Sequence, residues 1–218
     1  YPSPYGDEPA DAMVGNFVRK PAYHFGWDWG PRYVTAGVWR SVQLSSWDDN
    51  RITDLAVRTD TLDEAHAALT VLLQVEQSDA AGSASVAVDV LDPDGKRVQR
   101  IERQLMLRPG SNDLQLPVTI EQPRRWWPVG QGAQDRYTVQ ARVEGGRSDE
   151  QQARLRTGLR TVELRRENDA QGGQGFSFVI NGVPVFAKGA NVIPFDAFPA
   201  RVTRERLRRD LQAARDAN

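Results

Sequence analysis

Tyr23-His24-Phe25-Gly26-Trp27-Asp28-Trp29-Gly30-Pro31-Arg32 is the densest concentration of chemistry-bearing side chains in the 218 residues. Four aromatic rings, one carboxylate and two glycines follow no period of two or of 3.6, so the block is expected to be a shaped loop. Sugar rings offer apolar C–H faces that stack on indole and hydroxyls that bond to carboxylates, so tryptophan beside aspartate suits a carbohydrate pocket. The same residues also suit a tryptophan-rich core plug in which Asp28 caps a turn. On these residues alone the two readings stand level, because buried aromatics are common and pockets are few.

The composition removes other chemistries. Without cysteine there are no disulfides, thiolate nucleophiles or cysteine-bound zinc, and His24 and His66 are the only imidazoles. Ser/His/Asp catalysis is poorly supported, and neither a metal constellation nor a cofactor is expected. His24 reads as a satisfied structural histidine, and His66, in a polar stretch, as solvated surface. Hydrophobic residues at 39% and charged residues at 26% give the balance of an ordinary globular protein, so disorder is not the expectation. A net charge of -1 attracts neither phosphate backbones nor anionic lipid, which points to a neutral ligand and to neither nucleic acid nor membrane as partner. Of the 28 basic residues 25 are arginine, but they are scattered and form no patch. No run approaches the roughly 20 apolar residues of a membrane span, and Tyr1 to Lys20 lacks the apolar centre of a signal peptide.

The aromatic loop needs a scaffold, and residues 1–50 alone do not provide one. They are rich in glycine, proline and aromatics and hold one good strand candidate, Gly37 to Leu44, too little to bury a core. From Arg51 the pattern changes to short alternating runs. Leu69, Val71, Leu73 and Val75 share one strand face, and the period of two recurs at Val86 to Val90, Leu114 to Ile120 and Tyr137 to Val143. Ile52 to Thr59, Val98 to Leu107 and Ala153 to Val162 complete about seven strands. Turns are expected at Asp92-Pro93-Asp94-Gly95, Pro109-Gly110 and Gly145-Gly146. That pattern fits an immunoglobulin-like sandwich over residues 51–158. Beyond Gly158, Asn181-Gly182 between Phe176–Ile180 and Val183–Lys188 predicts a two-residue hairpin. A helix follows, with Thr203 as N-cap, Val202 and Leu207 placed for a hydrophobic staple, and Leu207, Leu211 and Ala214 on one face. A strand leading into an amphipathic helix is the first step of a parallel α/β fold whose partner strands this chain does not supply.

Arg19-Lys20-Pro21-Ala22 followed by the aromatic block and by Thr35-Ala36-Gly37-Val38-Trp39-Arg40 resembles the end of the sugar-binding domain of β-mannosidases in glycoside hydrolase family two. Trp126-Trp127-Pro128-Val129-Gly130-Gln131-Gly132 resembles the signature of that family's immunoglobulin-like domain. Phe178-Val179-Ile180-Asn181-Gly182 through Lys188-Gly189-Ala190-Asn191-Val192-Ile193-Pro194 resembles the start of its catalytic barrel. The resemblance spans nearly the whole chain. It implies a mainly β protein in three parts: residues 1–50, the remnant of a jelly-roll sugar-binding domain; 51–158, the sandwich; and 159–218, a hairpin with the first strand and helix of a (β/α)8 barrel.

The implied activity is that of a retaining, exo-acting hydrolase releasing terminal β-linked mannose from the non-reducing end of an oligosaccharide. Its two catalytic glutamates come from later barrel strands, so this piece is expected to be non-catalytic, its partners being the β-mannoside and the remaining barrel of the same polypeptide. Glu205, on a helix, is not a substitute. Carried over by position, Asp28 bonds sugar hydroxyls and Trp27 walls the pocket. Asn191 and Asp196 follow the expected first barrel strand, where barrel enzymes place active-site groups. Their local alternative weighs the same: Asn191 in a turn, and Asp196 bonding backbone amides near a proline. Trp126 and Trp127 read as packing. Other functions compete: a stand-alone carbohydrate-binding module, a fragment of a related β-galactosidase or β-glucuronidase, and an adhesin-type structural repeat, the last disfavoured because the sequence holds no second copy. The hairpin and helix after Gly158 disfavour the first; Trp27-Asp28-Trp29-Gly30-Pro31 favours mannosidase over the second. A bacterial periplasmic or secreted location is preferred to a cytoplasmic one.

Overall fold

The structure, a computed structural model, describes residues 17–217, so residues 1–16 of the first expected segment lie outside it. Two compact units emerge, Ser45–Lys188 and a second formed by Tyr1–Leu44 with Gly189–Asn218.

In the larger unit seven strands form two antiparallel sheets. β1 (Asn50–Leu62), β2 (His66–Gln77) and β5 (Gly110–Glu121) make a three-stranded sheet in the order β1-β2-β5. β3 (Gly82–Leu91), β4 (Arg97–Leu107), β6 (Tyr137–Gly145) and β7 (Ser148–Thr157) make a four-stranded sheet in the order β4-β3-β6-β7. The alternation read from the sequence sets which face turns inward. Leu69, Val71, Leu73 and Val75 of β2 are buried together with Val86, Val88 and Val90 of β3 and Val139, Ala141 and Val143 of β6. Leu73 lies opposite both Leu55 and Leu114 in the ladder, so an aliphatic layer runs across the whole sheet. On the outward face of β3, Asp89 is nonetheless buried. Arg100 pairs opposite it, and Arg97, Arg100 and Arg142 all make ion pairs with its carboxylate.

The turns follow the expected chemistry. Asp92 Oδ1 accepts the amides of Asp94 and Lys96 while Gly95 adopts a φ of 87°, closing the β3–β4 hairpin. Tyr137, at the start of β6, is buried, and its hydroxyl accepts the Arg124 amide at 3.0 Å, a tyrosine corner of the kind found in immunoglobulin-like sandwiches.

The run expected as one strand from Ala153 to Val162 is two. β7 ends at Thr157, and a short strand, β8 (Val162–Arg165), begins after a break at Gly158 and Leu159. The cause is Trp126. Leu159 is fully buried and its carbonyl accepts the Trp126 amide at 2.8 Å, while Gly158 packs on the Trp126 side chain. A Cβ at Gly158 would lie 2.6 Å from Trp126 Cβ and Cγ, the stiff end of that side chain. Gly158→Ala is therefore expected to destabilise the unit by about 1–3 kcal/mol through overpacking, read as a lower urea midpoint at unchanged slope. An unshifted midpoint would contradict this account of the break. Arg160 lies over the Trp126 ring at 5.0 Å, so Trp126 has a packing role.

β8 joins β9 (Ser177–Ile180) and β10 (Val183–Val185) in a third sheet, ordered β10-β9-β8. Asn181 and Gly182 connect β9 and β10 with φ values of 51° and 82°, the left-handed pair that a two-residue hairpin of matching twist requires. The Asn181 side chain accepts the Thr161 amide and donates to the Trp126 carbonyl, each at 3.0 Å.

In the second unit, α1 (Arg204–Asp216) starts where expected, with Thr203 Oγ1 accepting the Arg206 amide at 3.2 Å. No residue of α1 is buried, and Leu211 on its apolar face is exposed. Gly37–Leu44, expected as a strand, has no ladder partner among the described residues, and each of its residues is exposed. Its alternation is real, but a strand exists only by hydrogen bonds to a neighbour. Residues 186–198, ahead of α1, carry no ladder either, since a parallel strand depends on partners from elsewhere in a sheet.

Candidate functional site

The aromatic block folds into a shaped loop. Ala22–Phe25 form a single 3-10 turn, and Gly26, with φ of 108°, reverses the chain in a conformation unfavourable for any residue with a Cβ. Trp27 and Gly30 then exchange backbone hydrogen bonds, Trp27 N–H to Gly30 O at 3.0 Å and Gly30 N–H to Trp27 O at 3.2 Å. This isolated bridge leaves Asp28 and Trp29 as a two-residue tip. Beneath it Phe25 is buried; Arg32 lies over the Phe25 ring at 5.5 Å and donates to the Phe25 carbonyl at 3.3 Å. Tyr23 braces the tip from the side, its ring 5.5 Å from that of Trp29.

Trp27 and Asp28 thus stand together, half-buried and exposed respectively. The Asp28 carboxylate accepts no hydrogen bond and forms no ion pair among the described residues, so it does not cap the turn that displays it. A carboxylate held out on a rigid backbone with an indole at its base can bond to hydroxyls and cover an apolar ring face.

Asn191 and Asp196 differ from each other. Asn191 is exposed, in a segment without regular structure. Asp196 is enclosed: its carboxylate accepts the Phe198 amide at 2.9 Å, pairs with Arg201 at 2.6 Å and with Arg206 at 3.1 Å, and its side chain is 9% exposed. The Arg201 hydrogen bonds first, then the Phe198 amide, hold its pKa down at about 2 from an ordinary 3.8. With both oxygens engaged, Asp196 ties the residues ahead of α1 to the helix, which favours the local alternative over a sugar contact. The Asp-x4-Arg-x4-Arg spacing was the signal for this clamp. The sign of its pH dependence follows. Because the folded pKa is depressed, the stabilisation is complete above pH 4 and is lost as pH falls toward 2. Amide exchange at Phe198 and Arg206 should accelerate over that window, and Asp196→Asn should abolish the acid-dependent step; an identical profile in the variant would remove Asp196 as its source.

His24 is buried, at 7% exposed, with both ring nitrogens enclosed and the Ala197 backbone as its hydrogen-bonding neighbour. Burial and then the nearby Lys20 ammonium lower its pKa, with the Ala197 backbone opposing weakly, so the ring is neutral at pH 7. The described residues contain no group of three or more His, Cys, Asp or Glu that could hold a metal ion. None of their helices is long and apolar enough to cross a membrane.

The family model described as glycosyl hydrolases family 2 matches residues 50–160, just over half of the sequence, and the chain belongs to that family. The model described as the glycosyl hydrolase 2 galactose-binding domain-like region matches residues 2–40. Among curated proteins, β-mannosidase B of Aspergillus terreus is 35% identical over 193 residues, covering 88% of this chain and 22% of the relative. β-Mannosidase of Capra hircus is 35% identical over 213 residues, covering 93% of this chain and 23% of the relative. The crystal structure of β-D-mannosidase from Dictyoglomus thermophilum superposes with a TM-score of 0.86 at 37% identity, covering 99% of this chain and 26% of that one. The chain therefore spans less than a quarter of the length of these curated relatives.

Proposed function

We propose that this chain is part of a retaining, exo-acting β-mannosidase, acting on terminal β-linked mannose at the non-reducing end of an oligosaccharide. Within it, residues 1–50 finish the sugar-binding domain, 51–158 form the immunoglobulin-like sandwich and 159–218 begin the barrel. The observation that carries the reading is the two-residue tip formed by the Trp27–Gly30 bridge, with Asp28 displayed and unengaged among the described residues, in a chain 99% of which matches a β-D-mannosidase at 37% identity. Asp28 accepts hydrogen bonds from sugar hydroxyls, and Trp27 walls the subsite. Retaining hydrolysis also needs an acid/base and a nucleophile roughly 5–5.5 Å apart, presented on barrel strands. Those glutamates belong to the remaining barrel, the partner this segment requires.

The 218-residue chain alone should not release nitrophenol from an aryl β-mannoside above the uncatalysed rate. The polypeptide continued through the barrel should do so, and should prefer the β-mannoside over the matching β-galactoside and β-glucuronide. Turnover by the short chain would refute the division of labour, and a galactoside or glucuronide preference would reassign the substrate.

A further inference from the structure

Asn181-Gly182 is the only place in the 218 residues where glycine follows asparagine. The pair carries a chemical liability as well as a turn. The Gly182 amide nitrogen, once it has lost its proton, can attack Asn181 Cγ: the N–Cγ bond forms, the Cγ–Nδ2 bond breaks, and ammonia leaves behind a succinimide ring. Water then opens that ring at either carbonyl, giving aspartate or isoaspartate. Glycine favours the attack because no Cβ hinders its nitrogen. Asn50, Asn112, Asn168 and Asn191 are followed instead by Arg51, Asp113, Asp169 and Val192, whose side chains crowd the approach.

The folded turn, within the compact unit Ser45–Lys188, opposes that chemistry. Asn181 Oδ1 accepts the Thr161 amide and Nδ2 donates to the Trp126 carbonyl, each at 3.0 Å, while the Asn181 backbone N–H donates to the Thr161 carbonyl at 3.1 Å. Held at both ends, the side-chain amide cannot swing Cγ onto the Gly182 nitrogen until both of its hydrogen bonds break. The backbone is constrained as well, because Asn181 and Gly182 sit at φ values of 51° and 82° and the flanking strands are in register, Val183 opposite Ile180.

We propose that Asn181 is the preferred site of spontaneous deamidation in this chain, that the folded hairpin holds the reaction back, and that the product loosens the turn that protected it. At pH 7 a carboxylate has no proton to give the Trp126 carbonyl, and sets oxygen against oxygen there. Isoaspartate also adds a carbon to the main chain of a two-residue turn whose dihedral angles and register leave no place for it. Either product loses the donor that joins the hairpin to Trp126. Opening becomes easier and closing incomplete, so the modification accumulates in one direction.

The inference rests on the contacts of Asn181 and is independent of the proposed activity. Peptide mass spectrometry of the 218-residue chain, incubated at mildly alkaline pH in buffer and in denaturing guanidinium chloride, reads the amide-to-acid conversion at each asparagine. In denaturant Asn181 should convert faster than Asn50, Asn112, Asn168 and Asn191. In buffer its rate should fall roughly 10- to 100-fold, the factor expected for breaking two net hydrogen bonds. The deamidated chain, separated on ion exchange by its added negative charge and returned to buffer, should unfold at a lower urea midpoint than the unmodified chain. Asn181→Asp, which changes the amide and leaves the main chain as it is, should reproduce part of that loss. Equal rates in buffer and denaturant, a faster asparagine elsewhere in denaturant, or an unchanged midpoint in the purified product or in Asn181→Asp would each overturn the proposal.

Discussion

On the proposed function, replacing Asp28 by alanine in a polypeptide extended through the barrel is expected to lower kcat/KM for an aryl β-mannoside by roughly 10- to 150-fold, the equivalent of about 1.5–3 kcal/mol for a hydrogen bond to a charged group. The loss falls on catalysis because Asp28 does nothing else. Its carboxylate has no partner among the described residues, and the turn beneath it is closed by the Trp27 and Gly30 backbones. The variant should therefore fold with an unchanged melting temperature. If the contacts strengthen as the sugar ring flattens in the transition state, kcat falls with kcat/KM; if they serve ground-state binding alone, KM rises and kcat holds. Asp28→Asn keeps the shape and one acceptor oxygen and should lie between wild type and alanine. Unaltered kinetics in Asp28→Ala would take the tip out of the sugar subsite.

Leu73→Ala tests the scaffold. Leu73 is 1% exposed on the central strand of the three-stranded sheet, facing the valines of the opposite sheet, with Leu55 and Leu114 on either side. A cavity there cannot collapse easily, because strands on both flanks fix the neighbouring side chains. The expected destabilisation is about 2–5 kcal/mol, made up of lost transfer energy and an unfilled void. At a urea slope of roughly 2 kcal/mol/M the midpoint should fall by about 1–2.5 M. Leu211→Ala, on the exposed face of α1, is the control and should stay within about 0.5 kcal/mol. A loss below about 1 kcal/mol for Leu73→Ala would mean that β2 does not organise the core.

The sandwich was legible because its strands each bury one face. Val86, Val88 and Val90 alternate with Ala87 and Asp89, and Asn181-Gly182 admits few conformations besides its hairpin. Two features were not legible for the same reason: a local pattern does not reveal what it meets. Ala153 to Val162 alternates without interruption, and only the Trp126 side chain, far away in sequence, shows why the strand must stop at Gly158. Gly37–Leu44 has a strand's alternation and no strand to pair with. In the candidate site, Trp27 and Asp28 were found from residue type and family resemblance, and the bridge that turns them outward was not. Asp196 was found by position, but its arginine clamp points to a structural task.

The Asn181 amide joins its own turn to Thr161, 20 positions earlier in the chain, and to Trp126, 55 positions earlier. Such a rivet makes the small hairpin sheet and the tryptophan segment a single mechanical part. Neither can open without releasing the other, so thermal fluctuations that would fray three short strands must also lift Trp126 from its seat.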